Sequence, residues 1–314
     1  MNRKTVMLGV VGDSASGKTT LTKGIVNLLG EENVTAICSD DYHRYNREQR
    51  RAMGITALNP ACNYVDIMEQ HFNLLRQGQP ILKPVYNHST GDFDPPEYIR
   101  PAKFVIVEGL LGFHSRVMRN CFDVKVYLAP VEDLRVEWKI KRDTSKRGYT
   151  REQVLRSLNA RVDDAAHFIH PQRSFSDLVV SFYPPDQNKK ETGSHLNVQM
   201  ALKPSIPHPD LGDVLEHAAN SDGTPAISMS LGRDEGKPAD ILNVDGNISA
   251  EKSGELEKLL GNHLMSVASA LNLEKLGVFN DGSKDHVSYP LALAQMLIAY
   301  HLVRAQDPVQ VATQ

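Results

Sequence analysis

One short stretch constrains this chain more than any other feature. Residues 12–19 match the phosphate-binding loop G-x-x-x-x-G-K-[S/T]. An apolar run at 6–11 precedes the stretch and is typical of a buried strand, and the apolar residues that follow it recur at helical spacing. A Gly/Ser turn in front of an ordinary helix is the alternative. The strand–loop–helix context favours the phosphate-binding loop, which predicts that the chain binds a nucleoside triphosphate.

The residue types of this loop have a physical reason. Glycines let the backbone fold around phosphate oxygens, so that successive N–H groups and the N-terminus of the helix point at the anion. Lys18 is expected to reach the β- and γ-phosphates of ATP, and the Thr19 hydroxyl is expected to ligate Mg²⁺. The residues predicted to bind ATP are Gly12, Asp13, Ser14, Ala15, Ser16, Gly17, Lys18, Thr19 and Thr20.

Composition argues against several other classes of function. A formal net charge of −3 is unsuited to a broad basic surface for nucleic acid. The longest apolar stretch, 290–303, is interrupted by Gln295 and His301 and is too short to span a bilayer. The cysteines are odd in number and lack metal-ligand spacing, which fits a reducing cytosol. We therefore expect a cytoplasmic enzyme without nucleic-acid or membrane partners.

Apolar runs that alternate with helical patterns predict an α/β fold. Such alternation indicates a doubly wound, mostly parallel sheet, whose ligands bind beyond the carboxyl ends of its strands. A Pro-rich polar stretch at 184–188 marks a boundary between a predicted P-loop kinase core at 1–190 and a smaller α+β extension at 191–314, packed on the core. In the core, strands are predicted at 34–38, 104–107, 124–128 and 178–182, and helices at 65–77, 132–146 and 151–166. In the extension, strands are predicted at 196–202, 227–231 and 241–244, and helices at 253–271 and 290–304.

Acidic residues at the ends of two predicted strands are candidates for the chemistry. Phosphoryl transfer to a hydroxyl needs a carboxylate that orients and deprotonates the attacking oxygen. Asp40, close to the end of the second strand, is the predicted base, with an N-cap or turn aspartate as the alternative, and Asp41 stays open between a turn and a site role. Glu108 follows another strand and fits either a second position near Mg²⁺ or a helix-capping glutamate. The predicted metal set is Thr19, Asp40 and Glu108.

A basic stripe on one predicted helix is the next candidate. Such a stripe is usually a solvated face, but in a P-loop kinase it also fits a helical lid whose arginines clamp the transferring phosphoryl group. The segment 83–88 contains Tyr86 and His88 in front of a polar loop, and it is a weaker candidate for substrate binding. The residues of the stripe, which share one helix face by their spacing, are Lys139, Arg142, Asp143, Lys146 and Arg147.

Taken together, these segments resemble the phosphoribulokinase family, in particular its plant and cyanobacterial type. Members of that family phosphorylate the 1-hydroxyl of ribulose 5-phosphate with MgATP, which makes the carbon dioxide acceptor of the Calvin cycle, and the resemblance also implies a homodimer. It covers nearly the whole chain, although more loosely at 195–200 and 244–246. The segments that carry it most clearly are 12–19, 38–43, 54–60, 83–88, 94–97, 107–110 and 138–143.

The resemblance implies roles for individual residues. Asp40 matches the catalytic base of the family and Glu108 its second acidic residue, and Lys18, Arg142 and Arg147 complete the implied catalytic set. The positions that the resemblance assigns to the sugar phosphate or to the lid are His43, Arg47, Tyr86, His88, Lys139, Arg142, Asp143 and Arg147.

One departure from the family pattern bears on regulation. The plant enzyme is switched off by a disulfide between a cysteine of the phosphate-binding loop and one just before the Asp-Asp pair. Here Cys38 matches the second cysteine, while Ser16 occupies the loop position, so we expect activity that does not respond to dithiothreitol. Two alternatives stay open, namely a uridine kinase with the same fold and a catalytically weak paralogue that senses a metabolite. The polar groups at 42–47 and 83–88 favour a sugar phosphate over a nucleoside.

Overall fold

The computed structural model describes residues 5–220, 223–265 and 271–306 of the chain. Its strands are β1 (Val6–Gly12), β2 (Val34–Cys38), β3 (Ile81–Asn87), β4 (Asp92–Ile99), β5 (Phe104–Gly109), β6 (Val124–Leu128), β7 (Leu178–Tyr183), β8 (Asn197–Leu202), β9 (Ile227–Asp234), β10 (Lys237–Val244), β11 (Val278–Asn280) and β12 (Asp285–Val287). Its helices are α1 (Lys18–Leu29), α2 (Arg47–Met53), α3 (Val65–Arg76), α4 (Arg116–Arg119), α5 (Glu132–Arg147), α6 (Arg151–Asn159), α7 (Val162–Asp164), α8 (Gly212–Glu216), α9 (Ala250–Met265) and α10 (Tyr289–Arg304).

Eight strands form one sheet in the order β2–β5–β1–β6–β7–β8–β10–β9. Neighbours among the first five strands run parallel, whereas β8, β10 and β9 are added in antiparallel fashion. Helices cover both faces, since α1 and α10 pack on one hydrophobic cluster and α3 on the other. The prediction of a doubly wound, mostly parallel α/β sheet is confirmed.

The central strand β1 explains why the functional residues converge. It is apolar along its whole length because it is buried on both faces, and successive side chains alternate between the two hydrophobic clusters. Because β1, β2 and β5 are parallel, their carboxyl ends meet at one edge of the sheet. The loop at 12–17, the turn after β2 and Glu108 therefore lie at the same edge.

The strands of the predicted extension continue the sheet of the core. β8 pairs with β7, and β10 and β9 follow outward, so the predicted division into 1–190 and 191–314 falls in the loop between β7 and β8. α10 packs against α1, where the Gln295 side chain donates to two carbonyl oxygens of α1 at 3.2 and 3.3 Å. A Cβ at Gly24 would lie 2.1 Å from Gln295, so this close approach of the two helices requires glycine.

The helix predicted at 151–166 is shorter in the structure. α6 ends at Asn159, and the three-residue α7 and a π-helical turn follow it. In this segment Asp164 accepts hydrogen bonds from Thr56 and Asn59 at 2.5 and 3.4 Å. A contact with a distant part of the core thus overrides the helical pattern and interrupts the helix.

The structure adds a hairpin for which no strands were predicted, and it begins one predicted helix earlier. The segment 83–88 lies largely in β3, which forms a hairpin with β4 that the sequence pattern did not predict. The helix predicted at 253–271 begins at Ala250 and is described as far as Met265, and its residues 266–270 lie outside the described part of the chain. Within the described ranges, no helix combines the length and the apolar character that crossing a bilayer requires.

Candidate active site

The loop at 12–17 forms an anion-binding turn at the end of β1. Ala15 and Gly17 adopt left-handed conformations, with φ of 64° and 94°, and residues of this kind create the concave run of N–H groups that receives an anion. Lys18 Nζ donates to the carbonyls of Gly12 and Asp13 at 2.9 and 2.8 Å, which holds its ammonium group against the loop. α1 begins at Lys18, so the N-terminus of that helix also points at the loop.

Thr19 and Glu108 bring two oxygen ligands together beside this loop. Thr19 Oγ1 donates to Glu108 Oε1 at 2.8 Å. Burial raises the pKa of Glu108, although the charge of Lys18 and the hydrogen bond from Thr19 oppose it, and the charge of Asp40 raises it further. Mg²⁺ prefers such oxygens and binds through one or two carboxylates together with substrate phosphates. No cluster of three or more His, Cys, Asp or Glu side chains in the described part of the chain could hold a metal. The donor set therefore fits a Mg²⁺ ion whose coordination is completed by nucleotide phosphates.

The two adjacent aspartates have different surroundings. Both lie in the 3₁₀ turn Ser39–Tyr42, directly after β2. Asp41 is engaged by both oxygens, since Oδ1 accepts from the Tyr86 N–H at 3.0 Å and Oδ2 pairs with Lys83 Nζ at 2.5 Å. Among the described residues, the Asp40 carboxylate has no hydrogen-bond or ion-pair partner. Asp40 is therefore the carboxylate that is available to a reacting hydroxyl.

Three rings beside Asp40 form what we call the acceptor wall, which consists of His43, Tyr86 and His88. The Tyr86 ring centroid lies 4.8 Å from that of His43 and 5.0 Å from that of His88. The Tyr86 hydroxyl accepts a hydrogen bond from Arg50 at 2.7 Å, a contact that the sequence did not suggest. Burial lowers the pKa of His43 to about 4, against the charge of Asp40, and burial also lowers the pKa of His88. The two histidines of the wall are therefore uncharged at neutral pH.

Arg47 supports the turn of the hairpin in this structure. Its guanidinium donates to the His88 carbonyl, and a Cβ at Gly91 would lie 2.8 Å from the Arg47 side chain. This contact holds the backbone that carries His88. A direct contact of Arg47 with a sugar phosphate stays a prediction.

Asp143 is the centre of the basic stripe on α5. Its carboxylate accepts from Lys139 Nζ and from Arg142 Nε, each at 2.8 Å, and Arg147 Nη1 lies 3.4 Å away. Arg142 also reaches Ser14 Oγ at 3.2 Å, which brings the stripe into contact with the phosphate-binding loop. Burial opposes ionisation of Asp143, but Arg142 and Lys139 outweigh it and lower the pKa to about 2. Burial, together with neighbouring arginines, lowers the pKa of Lys139 to about 8.

Arg161 adds a cation that the sequence patterns missed. Its guanidinium has no hydrogen-bond or ion-pair partner in the described ranges, and burial lowers its pKa, with Asp13 and Asp143 opposing. A guanidinium that is withdrawn from water without a partner is suited to an incoming anion. Its position depends on the interruption after α6, which periodicity does not predict. By contrast, Lys146 of the stripe is exposed.

The arrangement defines a class of enzyme. The parallel sheet carries a phosphate-binding loop at the end of β1 and an available carboxylate after β2, and the arginine-rich helix α5 contacts the loop. This is the construction of a P-loop kinase. The chain belongs to the Phosphoribulokinase / Uridine kinase family, whose model matches residues 7–188. The resemblance noted from the sequence is thereby confirmed.

Individual relatives agree with this assignment, and one solved structure shares the fold. Phosphoribulokinase of Synechocystis sp. (strain ATCC 27184 / PCC 6803 / Kazusa) is 36% identical over 255 residues, which cover 77% of each chain. Chloroplastic phosphoribulokinase of Triticum aestivum is 28% identical over a gapped alignment of 318 residues, which covers 91% of this chain and 76% of that one. The structure of phosphoribulokinase from Rhodobacter spheroides matches with a TM-score of 0.60 and 22% identity, covering 84% of this chain and 97% of that chain. That structural likeness concerns the fold alone.

Proposed function

We propose that this chain transfers the γ-phosphoryl group of ATP to O1 of ribulose 5-phosphate, which gives ribulose 1,5-bisphosphate and ADP. The observation that carries the proposal is a second group of cations, Arg147 and Arg161, in addition to Lys18 and Arg142 beside the phosphate-binding loop. A nucleoside acceptor is uncharged, whereas a sugar phosphate is an anion that needs such partners. The names of the relatives support the same acceptor.

Asp40 is the proposed base of the reaction. As O1 attacks the γ-phosphorus, its proton passes to the Asp40 carboxylate, and the bond from the γ-phosphorus to the β–γ bridging oxygen breaks, so that its electron pair leaves with ADP. His43 Nδ1 donates to Asn63 Oδ1 at 2.7 Å, which leaves Nε2 of the neutral ring as an acceptor for a substrate hydroxyl. A neutral ring orients that hydroxyl without adding a charge beside the base.

Cations on both sides of the transferred group are proposed to stabilise its charge. Lys18 acts from the loop and Arg142 from α5, in a site where fixed charges act without reorganisation. Thr19 and Glu108, with Asp40 as the third proposed ligand, would hold Mg²⁺, which when bound would neutralise charge on the β- and γ-phosphates. The residues proposed to hold the sugar phosphate are His43, Arg47, Tyr86, His88, Lys139, Arg142, Asp143, Arg147 and Arg161.

Release of ADP from MgATP tests this proposal, with ribulose 5-phosphate, uridine or no acceptor at matched concentrations. We expect turnover with the sugar phosphate alone. Turnover with uridine alone would make the chain a uridine kinase, and binding of ATP without turnover of either acceptor would favour the sensor. A Lys18→Met variant purified in parallel controls for contaminating kinases.

Thermal protection gives a second readout of the acceptor. With an ATP analogue present, ribulose 5-phosphate is expected to raise the Tm, because a ligand that binds only the native state stabilises it by mass action. Uridine is expected to leave the Tm unchanged. Protection by uridine alone would contradict the proposed acceptor.

We also propose a homodimer, from the free edge of the sheet. β9 is the last strand and pairs only with β10 in the described chain, and Leu231 on β9 is 90% exposed. An unpaired edge with an exposed leucine is suited to pairing with a second copy. Light scattering is expected to give twice the chain mass of 34.9 kDa, and Leu231→Lys is expected to lower it. A measured mass of 34.9 kDa for the wild type would contradict the dimer.

We infer a cytoplasmic location from the cysteines. Cys38, Cys62 and Cys121 are all free thiols, as a reducing compartment keeps them. Cell fractionation of a tagged chain is expected to recover it in the cytoplasmic fraction, without nucleic acid or membrane.

A further inference from the structure

One carboxylate attaches the β3–β4 hairpin to the edge of the main sheet. The two strands pair only with each other in the described part of the chain, so contacts outside strand pairing fix the place of the hairpin. At its turn the Gly91 carbonyl accepts from the Arg47 N–H at 2.8 Å, and at its other end Asp41 provides the contact. Asp41, in the turn after β2, pairs through Oδ2 with Lys83 Nζ at 2.5 Å and accepts through Oδ1 from the Tyr86 N–H at 3.0 Å. Lys83 is 5% exposed, so water and salt screen this ion pair little.

The two contacts of Asp41 lie on opposite sides of a bulge in β3. The register with β4 shifts between Lys83 and Val85, across Pro84, which has no N–H to donate. A bulge bends its strand and increases the local twist, so pairing with β4 does not by itself set the direction of the strand beyond it. Asp41 holds Lys83 before the bulge and Tyr86 after it, and thereby fixes the bend.

The strand beyond this bulge carries Tyr86, the central ring of the acceptor wall, and leads directly into His88. Tyr86 contacts the rings of both His43 and His88. Asp40 and His43 belong to the same short segment as Asp41, directly after β2. The Asp41 carboxylate therefore fixes where the acceptor wall lies relative to Asp40.

We propose that Asp41 is a positioning residue, which with Lys83 sets the distance between Asp40 and the acceptor wall and so determines which acceptor fits. This inference rests on the proposed function, because it assigns the acceptor to that wall. It also separates the two adjacent aspartates, since Asp40 touches the reacting oxygen whereas Asp41 acts only through the hairpin.

Steady-state kinetics of Asp41→Asn, Lys83→Met and the double variant test the proposal. We expect each single variant to raise the KM for ribulose 5-phosphate at least roughly 10-fold and to change the KM for ATP less than about twofold, since a small misplacement of positioning groups can cost up to about 10²-fold. The double variant is expected to match the worse of the single variants, because both substitutions remove the same ion pair.

A matched substitution on the same hairpin is the control. Asp94 is exposed and accepts from Asn87 at 3.0 Å, away from the contacts of Asp41, so Asp94→Asn is expected to leave both KM values unchanged. An equal rise in both KM values, or additive effects of the Asp41 and Lys83 substitutions, would overturn the proposal. Either result would indicate a general loss of structure instead of a misplaced wall.

Hydrogen exchange separates this inference from the proposed function. A wild-type protein that does not phosphorylate ribulose 5-phosphate would disprove the proposed function alone. In that case Asp41→Ala must still accelerate exchange of the Tyr86 amide at least about 10-fold relative to the amides of α3, as local opening of the hairpin requires. An unchanged exchange rate at Tyr86 would overturn the positioning role, whatever the acceptor.

Discussion

The donor half and the acceptor half of the site are built in different ways. The donor half is one continuous stretch, residues 12–20, and its shape depends on backbone conformations such as the left-handed Ala15. The acceptor half combines Asp40, at the end of a sheet strand, with Tyr86, on a separate hairpin, and Asp41 joins the two. The proposed ATP site thus comes from a local motif, whereas the proposed acceptor site depends on contacts between distant segments.

Removal of the base should have the largest effect of all, and the effect should fall on turnover. Asp40→Asn is expected to lower kcat at least roughly 10²-fold, the scale of general-base catalysis. The affinity for an ATP analogue measured without Mg²⁺ should stay within about twofold, because the loop at 12–20 is untouched. Turnover assays and calorimetric titration measure the two quantities. Near-normal turnover would show that another group removes the proton.

Arg161 tests whether the second group of cations belongs to the acceptor half. A charge-assisted hydrogen bond contributes roughly 1.5–3 kcal/mol, so Arg161→Met is expected to lower kcat/KM for ribulose 5-phosphate about 10- to 100-fold. Arg156→Met, at an exposed position of α6, is the matched control and should leave it unchanged. A rise confined to the KM for ATP would assign Arg161 to the donor half instead.

Acid should destabilise the protein through the acceptor half, because that half contains the buried His43. The donor stretch, residues 12–20, includes no histidine. Burial lowers the pKa of His43 from 6.5 to about 4, so between these values the unfolded chain binds a proton that the folded chain does not. Its stabilising contribution, roughly 3 kcal/mol when complete, is present above pH 6.5 and is lost as the pH falls toward 4. Denaturant unfolding at neutral pH and at about pH 5 should therefore show a smaller acid-induced loss in His43→Gln than in wild type. His167→Gln, at an exposed position, should behave as wild type, and an equal loss in all three proteins would contradict the assignment.

The smallest expected effect concerns thiol reagents, because no disulfide can join Cys38 to the phosphate-binding loop. Ser16 occupies the loop position where a cysteine would be needed. Burial, together with the charges of Asp40 and Glu108, raises the pKa of the Cys38 thiol well above its ordinary value, which keeps it protonated and unreactive. Activity with and without dithiothreitol should therefore be the same, in wild type and in Cys38→Ser. A reversible several-fold loss on mild oxidation would mean that another cysteine pair has this role.

The same contrast explains what could be predicted from the sequence. The loop and the parallel sheet follow from local patterns, and Asp40 stands out because it lies just after a predicted strand. The role of Asp41 stayed open because its partner Lys83 is 42 residues away, beyond a bulge that no pattern marks. Arg161 was missed because it lies in the interruption after α6. There Asp164 accepts a hydrogen bond from Thr56, which is 108 residues away in the chain. Periodicity reports which face is buried, but it does not report which distant polar group binds a carboxylate.

The contact between α10 and α1 has a consequence for biosynthesis. Gln295 and Thr20 are separated by 275 residues. At translation rates of about 5–20 residues per second, roughly 15–55 s pass between the synthesis of the two. During that interval the nascent chain already contains the whole phosphate-binding sequence, while the face of α1 that α10 will cover remains open to water and to chaperones. We therefore expect α1 to reach its final packing only after the ribosome has passed residue 295. The last helix, α10, would then set the time at which the phosphate-binding loop in front of α1 can bind a nucleotide.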